Sequence, residues 1–206
     1  MADHLGRMFR FYALLAILPL AAGFFGVWSL AIGYLLFLLV AAGLIAMLIG
    51  TLIWIDRGMK LPVERRQRAL LIGLAPLLFA VSVVVVMPLF DAGNFFASLI
   101  RLTIDRDHYE AIIAKAGSVP GERYGQDGNI DYITVPGPPV RVAFRHGDMR
   151  QPWGATVYDP SGDVMLAKGH FDQSGLWIAP ASVRDLGMIT GCRHLWGDYY
   201  TCWEYD

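Results

Sequence analysis

The chain has 206 residues, of which 55% are hydrophobic, and its mean hydropathy of +0.45 exceeds that of an ordinary soluble domain. Its 17 basic and 18 acidic residues leave a net charge of −1, and no long basic run indicates a nucleic-acid partner. Charged side chains are absent from residues 11–55 and 69–90 but frequent from Asp91 onward. The sequence therefore predicts a membrane part, residues 1–90, and a water-exposed part, residues 91–206.

Two uncharged stretches are long enough to cross a membrane, because about 20 apolar residues span the hydrocarbon core. The first has the length of two crossings and the second that of one, which predicts three transmembrane helices at about 11–27, 33–55 and 69–89. Small residues recur every four positions in the second span, at Ala42, Ala46 and Gly50. Such a stripe lets helices approach closely, either within the chain or in a homo-oligomer. Short connections favour packing within the chain.

Basic residues indicate the orientation of the spans. Arg7 and Arg10 precede the first span, and the loop 56–68 carries five further basic residues. Short basic segments stay on the cytoplasmic side, and three spans place both segments on the same side. The prediction is a bacterial inner (plasma) membrane protein with a cytoplasmic N-terminus and a periplasmic C-terminal domain. A cleaved signal peptide over residues 1–23 would leave that domain outside as well.

The exported part is expected to begin with helix and continue as a sheet. Residues 91–117 show helical apolar spacing, with Asn94 as a possible N-cap and Gly117 as a C-cap, which predicts one or two amphipathic juxtamembrane helices. Their apolar face lies either on the bilayer or on the following domain. Residues 118–206 are β-rich and begin with a loop, SVPGERYGQDGN. Strands are expected at 130–135, 140–145, 155–159 and 163–167, and more weakly at 176–178 and 188–190.

Turn residues in this part predict two hairpins. Pro160 and Gly162 place a tight turn between the strands 155–159 and 163–167. The last hairpin joins 192–195 to 199–204 through a turn at Trp196, Gly197 and Asp198. The fold class is therefore an α-helical membrane part followed by a small α+β domain with a mainly antiparallel sheet.

Cys192 and Cys202, the only cysteines, flank the turn of the last hairpin. Cysteines in an exported compartment usually form structural disulfides. A redox site would favour the Cys-x-x-Cys spacing, which is absent. A zinc site needs about four ligands, whereas this segment supplies only His194 in addition to the two cysteines. The sequence predicts a disulfide-closed hairpin, no metal and no cofactor.

Catalytic signatures are weak. His146, His170 and His194 coexist with several serines and aspartates, so a membrane-anchored periplasmic hydrolase using one of these histidines stays open as the alternative. No Gly-x-Ser-x-Gly, phosphate-binding or HExxH motif occurs. The uncharged spans also argue against a transporter or pump, which usually needs ionisable groups inside the membrane.

Aromatic and basic residues of the exported domain suggest an interaction surface. Tyr and Trp are favoured in protein interfaces, and a cationic face on strand 140–145 would suit lipid headgroups or an acidic partner. The expectation is a non-enzymatic accessory or assembly subunit of an envelope complex, with a membrane or periplasmic protein as its partner. The candidate surface residues are Trp196, Tyr199, Tyr200, Trp203, Tyr205, Arg141 and Arg145.

Overall fold

The computed structural model describes residues 2–60, 64–118, 124–135, 137–146, 154–167 and 178–205. Its first three elements are long helices: α1 Ala2–Gly26, α2 Leu30–Lys60 and α3 Arg65–Ser118. By length and composition, each is apolar enough to cross a membrane. The chain divides into two compact units, Met1–Ala97 and Ser98–Asp206, referred to below as the helical unit and the sheet unit.

The three predicted spans lie inside these helices, but the helices extend further. In particular, residues 91–117 are helical, but they continue α3 without a break to Ser118 instead of starting a new helix at Asn94. Asn94 is not an N-cap but a helix-interior residue with 8% of its surface exposed. The unit boundary after Ala97 likewise falls inside a helix, where composition gives no signal.

A polar contact joins the three helices of the helical unit within an apolar core. The Tyr12 hydroxyl on α1 lies 2.6 Å from the Thr51 hydroxyl on α2 and 3.4 Å from the carbonyl oxygen of Ala75 on α3. Thr51 also donates to the carbonyl oxygen of Met47 at 2.8 Å. Met8, Met47 and Ala75 are buried around this contact. The hydrogen bonds satisfy buried hydroxyls that would otherwise destabilise the core.

The three small residues of the α2 stripe do not share the same surroundings. Gly50 lies against the Phe11 ring of α1, so this position serves packing within the chain. Ala42 and Ala46 are exposed on the surface of the helical unit. Homo-oligomerisation through Ala42, Ala46 and Gly50 stays a prediction.

The sheet unit contains a six-stranded antiparallel sheet with the order β1-β2-β3-β4-β6-β5. The described part also has a short 3-10 helix at Asp163–Leu166 and the short helix α4 at Ala181–Arg184. The strands are β1 Tyr124–Asp127, β2 Ile130–Val135, β3 Arg141–His146, β4 Ala155–Tyr158, β5 Met188–Trp196 and β6 Tyr199–Tyr205.

The sheet is covered on both faces. On one face, α3 packs its buried residues Leu102, Tyr109 and Ile112, and Tyr109 stacks on Phe144 of β3 with ring centroids 4.2 Å apart. This packing answers the question left open by the sequence: the apolar face of this helical segment covers the sheet. The 3-10 helix and α4 lie with the opposite face, whose core consists of Ala143, Val157, Val164, Val183, Leu186 and Ile189.

The strand predictions had mixed outcomes. Strand 130–135 and the final hairpin are confirmed, and 140–145 and 155–159 are each shifted or shortened by one residue. The hairpin between 155–159 and 163–167 is wrong: β4 pairs with β3 and β6, and the second segment forms the 3-10 helix. Residues 188–190 begin β5, whereas most of 176–178 lies outside the described residues. β1 falls within SVPGERYGQDGN, which the sequence predicts as loop, and three of its four residues are exposed.

Two glycines permit the close crossing of α1 and α3. A Cβ atom on Gly93 would overlap the carbonyl group of Leu20, and one on Gly23 would overlap that of Phe90. Small residues allow such backbone contact between apolar helices. By contrast, a Cβ atom on Gly73, also on α3, would meet open space.

This difference predicts opposite effects for two identical substitutions. Gly93→Ala should lower the stability of the full chain in detergent by about 1–3 kcal/mol, because the helices must separate to admit the methyl group. Gly73→Ala is the matched control and should be neutral or slightly stabilising, since alanine favours helix. The thermal unfolding midpoint measures both. Equal midpoints for the two variants would contradict the close crossing.

Candidate functional site

The C-terminal hairpin carries the predicted disulfide. Cys192 of β5 and Cys202 of β6 are bonded to each other, and Cys202 is buried in the core of the sheet unit. Gly191 adopts a left-handed conformation with φ 57° at a β-bulge beside Cys192. In the chain-entropy model, a disulfide that closes a loop of this size stabilises the folded state by about 2–3 kcal/mol. Within the described residues, no group of three or more histidine, cysteine or acidic side chains could hold a metal ion.

The aromatic residues of this hairpin do not form one surface. Tyr199 is 8% exposed and packs near Tyr109 and Tyr158, with centroid distances of 6.3 and 5.3 Å. Its burial raises the pKa of the phenol to about 12, so it stays neutral at physiological pH. Tyr200 and Trp203 are half-buried. The side chain of Tyr205 lies outside the described residues.

Trp196 is the exposed aromatic of the hairpin, with 56% of its surface accessible. The guanidinium of Arg106 on α3 lies over its ring at 4.6 Å from the centroid, which is a cation–π geometry. Glu110 accepts a 2.8 Å hydrogen bond from the Nε of Arg106 and thereby raises the pKa of the arginine. The three side chains form a surface group, called here the Trp196 cluster.

The sequence did not identify Arg106 or Glu110 as part of a site. They lie in the segment DRDHYE, and charged residues on a helix usually mark a solvated face. Their spacing of four residues on a helix indicates an ion pair. Nothing in the sequence pairs that helix turn with the tip of a hairpin about 90 residues later, because this proximity depends on how α3 packs on the sheet.

Arg141 is buried rather than part of an exposed cationic face, which corrects the sequence-based placement. Its Nε donates to Oδ1 of Asp159 at 2.9 Å, and its side chain and that of Asp159 are 10% and 0% exposed. β3 is also an interior strand of the sheet. Arg145, two pleats along β3, is half-buried and lies opposite Asp131 in the register.

Asp159 organises the loop that follows β4. Its Oδ1 also accepts bonds from the amide and hydroxyl of Ser161, at 3.1 and 2.6 Å, and its Oδ2 accepts the amide of Val164 at 2.9 Å. Four donors on one carboxylate fit an aspartate turn that bends the chain. These bonds explain why residues 163–166 form a 3-10 helix instead of the second arm of a hairpin.

A second carboxylate connects this loop to α4. Asp163 accepts a 2.7 Å hydrogen bond from the Ser182 hydroxyl and one of 3.2 Å from Arg141. The bond from Ser182, together with Ser161 and the charge of Arg141, lowers the pKa of Asp163 below its ordinary value. Arg141, Asp159, Ser161, Asp163 and Ser182 thus form a structural polar cluster, in which Ser161 has an aspartate beside it but no histidine within the described contacts.

Two of the three histidines of the hydrolase alternative, His146 and His194, lie on different strands. His194 donates to the carbonyl oxygen of Gly197 at 2.6 Å and contacts the Tyr200 ring. His146 ends β3, whereas His194 lies on β5, three strand positions away in the sheet order, so their backbones are about 14 Å or more apart. His170 lies outside the described residues. This separation disfavours a site that uses His146 and His194 together.

Comparisons with known proteins supply no family. No protein-family model matches the chain, and neither the curated proteins nor the solved structures gave a match. Its function has to be inferred from its own residues.

The buried ion pair generates a stability prediction. Asp159→Asn should destabilise the sheet unit by about 3 kcal/mol, because it removes the fully buried partner of the Arg141 guanidinium and leaves only the partly exposed Asp163 as a counter-charge. The exposed Asp107 provides a control, since Asp107→Asn should change stability by less than about 0.5 kcal/mol. Chemical denaturation of the full chain in detergent measures both.

A double variant separates two causes of this loss of stability, the unpaired buried charge of Arg141 and the altered hydrogen bonds of the loop after β4. Arg141→Met combined with Asp159→Asn should be less destabilising than Asp159→Asn alone, because no arginine charge remains buried and the asparagine oxygen still accepts a bond from the loop. A double variant at least as unstable as the single one would contradict this explanation.

Proposed function

We propose that this protein is a non-enzymatic integral protein of the bacterial inner membrane that presents a periplasmic interaction domain. In this proposal, α1, α2 and residues 69–89 of α3 span the bilayer, the N-terminus is cytoplasmic and the sheet unit is periplasmic. The protein then acts as an accessory or assembly subunit of an envelope complex.

The outer surface of the helical unit supports membrane insertion. Large apolar side chains point outward on each helix, including Leu14 on α1, Leu38 on α2 and Val84 on α3, which are 71%, 64% and 73% exposed. Soluble proteins rarely expose contiguous apolar surface of this kind. A hydrocarbon environment removes the cost of exposing these side chains to water.

The Trp196 cluster carries the interaction part of the proposal. Tryptophan and arginine are the residues most enriched where binding energy concentrates in protein interfaces. Here both are exposed on the sheet unit, and the Glu110 bond fixes the guanidinium over the indole ring before a partner arrives. Side chains held in place before binding lose little conformational entropy on association. We therefore propose that the partner is a membrane or periplasmic protein that contacts Trp196.

Photocrosslinking in living cells tests this function. A photoreactive amino acid with an aromatic side chain at position 196 of the full-length protein should capture a defined partner protein, and Arg106→Ala should weaken the crosslink several-fold because it removes the exposed arginine of the same surface. Leu166, an apolar residue with 63% exposure outside the hairpin, is the matched control position.

The outcomes discriminate directly. A partner captured at 196 but not at 166 supports the proposal. If position 196 gives no crosslink and the protein purifies from mild detergent as a monomer without partners, the interaction function is wrong.

A further inference from the structure

One end of the helical unit carries a band of exposed basic side chains. Helix α1 begins at this end, α2 ends there and α3 begins there. Residues before Asp91 hold seven basic and three acidic residues, a net charge of +4, against −5 for the remainder of the chain. The exposed members, called here the basic band, are Arg7, Arg10, Arg57, Lys60, Arg65 and Arg66.

The contact between Tyr12, Thr51 and Ala75 is a common reference point that puts these residues at the same end of the helical unit. Measured from that contact at about 1.5 Å per helical residue, Arg10 lies about 3 Å along α1, Arg57 about 9 Å along α2 and Arg66 about 14 Å along α3, all toward the same end. Long basic side chains extend along apolar surface to reach a polar layer. The band therefore fits the headgroup layer of one leaflet.

The immediate surroundings of the band leave it positive. Asp56 pairs with Lys60 at 2.6 Å, and Asp3 and Glu64 are the other acidic residues before Asp91, against seven basic ones. No acidic residue occupies the first turn of α3. Arg57 lies over the Trp54 ring at 5.6 Å, which places a guanidinium beside the type of aromatic that marks a membrane interface.

Apolar side chains next to the band determine which anionic partner fits. Leu14, Leu52 and Leu70 are 71%, 61% and 67% exposed, and each lies on the inner side of the band along its helix. A phospholipid matches both features, because its acyl chains cover apolar surface while its phosphate accepts paired N–H donors from arginine. A soluble anion would satisfy only the charge.

We propose that the basic band binds the headgroups of anionic phospholipids of the phosphatidylglycerol class in the surrounding leaflet. This inference rests on the proposed membrane insertion of the helical unit. Each basic side chain near such a surface contributes about fivefold in affinity, so several together enrich anionic over zwitterionic lipid around the protein.

Lipid selectivity of the full-length protein tests the proposal. The protein is reconstituted into nanodiscs with equal amounts of phosphatidylglycerol and phosphatidylcholine. Native mass spectrometry then identifies the lipids that remain bound when the protein is released from the nanodisc. The wild type should retain phosphatidylglycerol preferentially. Replacing two charges, in Arg65→Gln with Arg66→Gln, should lower the ratio of bound phosphatidylglycerol to phosphatidylcholine at least fivefold.

Two further variants control for structure and for charge placement. Arg65→Lys with Arg66→Lys keeps both charges and should retain the wild-type ratio within about twofold, since the headgroup attraction is mainly electrostatic. Arg184→Gln removes an arginine of the sheet unit and should leave the ratio unchanged.

The results distinguish a failure of lipid binding by the basic band from a failure of membrane insertion. Equal lipid ratios for the wild type and the Arg65→Gln, Arg66→Gln variant would overturn lipid binding by the band while leaving membrane insertion intact. A wild-type protein that fails to enter the nanodiscs would overturn both proposals.

Discussion

The helical unit depends on one constraint. Much of its surface is apolar, and exposing that surface to water is unfavourable. Its three helices bury few large side chains among themselves and direct most leucine, isoleucine and valine side chains outward. In the proposed bilayer, where the helix surface and its surroundings are equally apolar, close packing and hydrogen bonds hold such helices together. The Tyr12–Thr51 hydrogen bond and the glycine crossing at Gly23 and Gly93 provide both.

The sheet unit is stabilised by different interactions. Its two core layers bury aromatic and aliphatic side chains against both faces of the sheet, and the Arg141–Asp159 pair fixes the loop after β4. The disulfide joins β5, an edge strand, to β6. Because these polar groups satisfy one another internally, they are better explained as structure than as catalysis, and the exposed Trp196 cluster is left as the better candidate for binding.

Periodicity and turn chemistry predicted much of the fold. The charge-free stretches located the three apolar helices, alternation located β2 to β4 to within one residue, and the symmetric placement of Cys192 and Cys202 indicated the disulfide hairpin. Failures occurred where long-range contacts override local signals: α3 continues through Asn94, and Asp159 converts a hairpin arm into a 3-10 helix. Likewise, burial of Arg141 and the contact between Arg106 and Trp196 follow from packing that no local pattern encodes.

Membrane topology in living cells tests the central claim most directly. Single cysteines are introduced at Gln67, beside the basic band, and at Tyr124, which is 65% exposed on the sheet unit, while the native disulfide is kept. A membrane-impermeant maleimide should label Tyr124→Cys once the outer membrane is made permeable, and Gln67→Cys only after the inner membrane is disrupted. Labelling of Gln67→Cys with protection of Tyr124→Cys, or equal labelling of both in intact spheroplasts, would contradict a periplasmic domain on a three-span anchor.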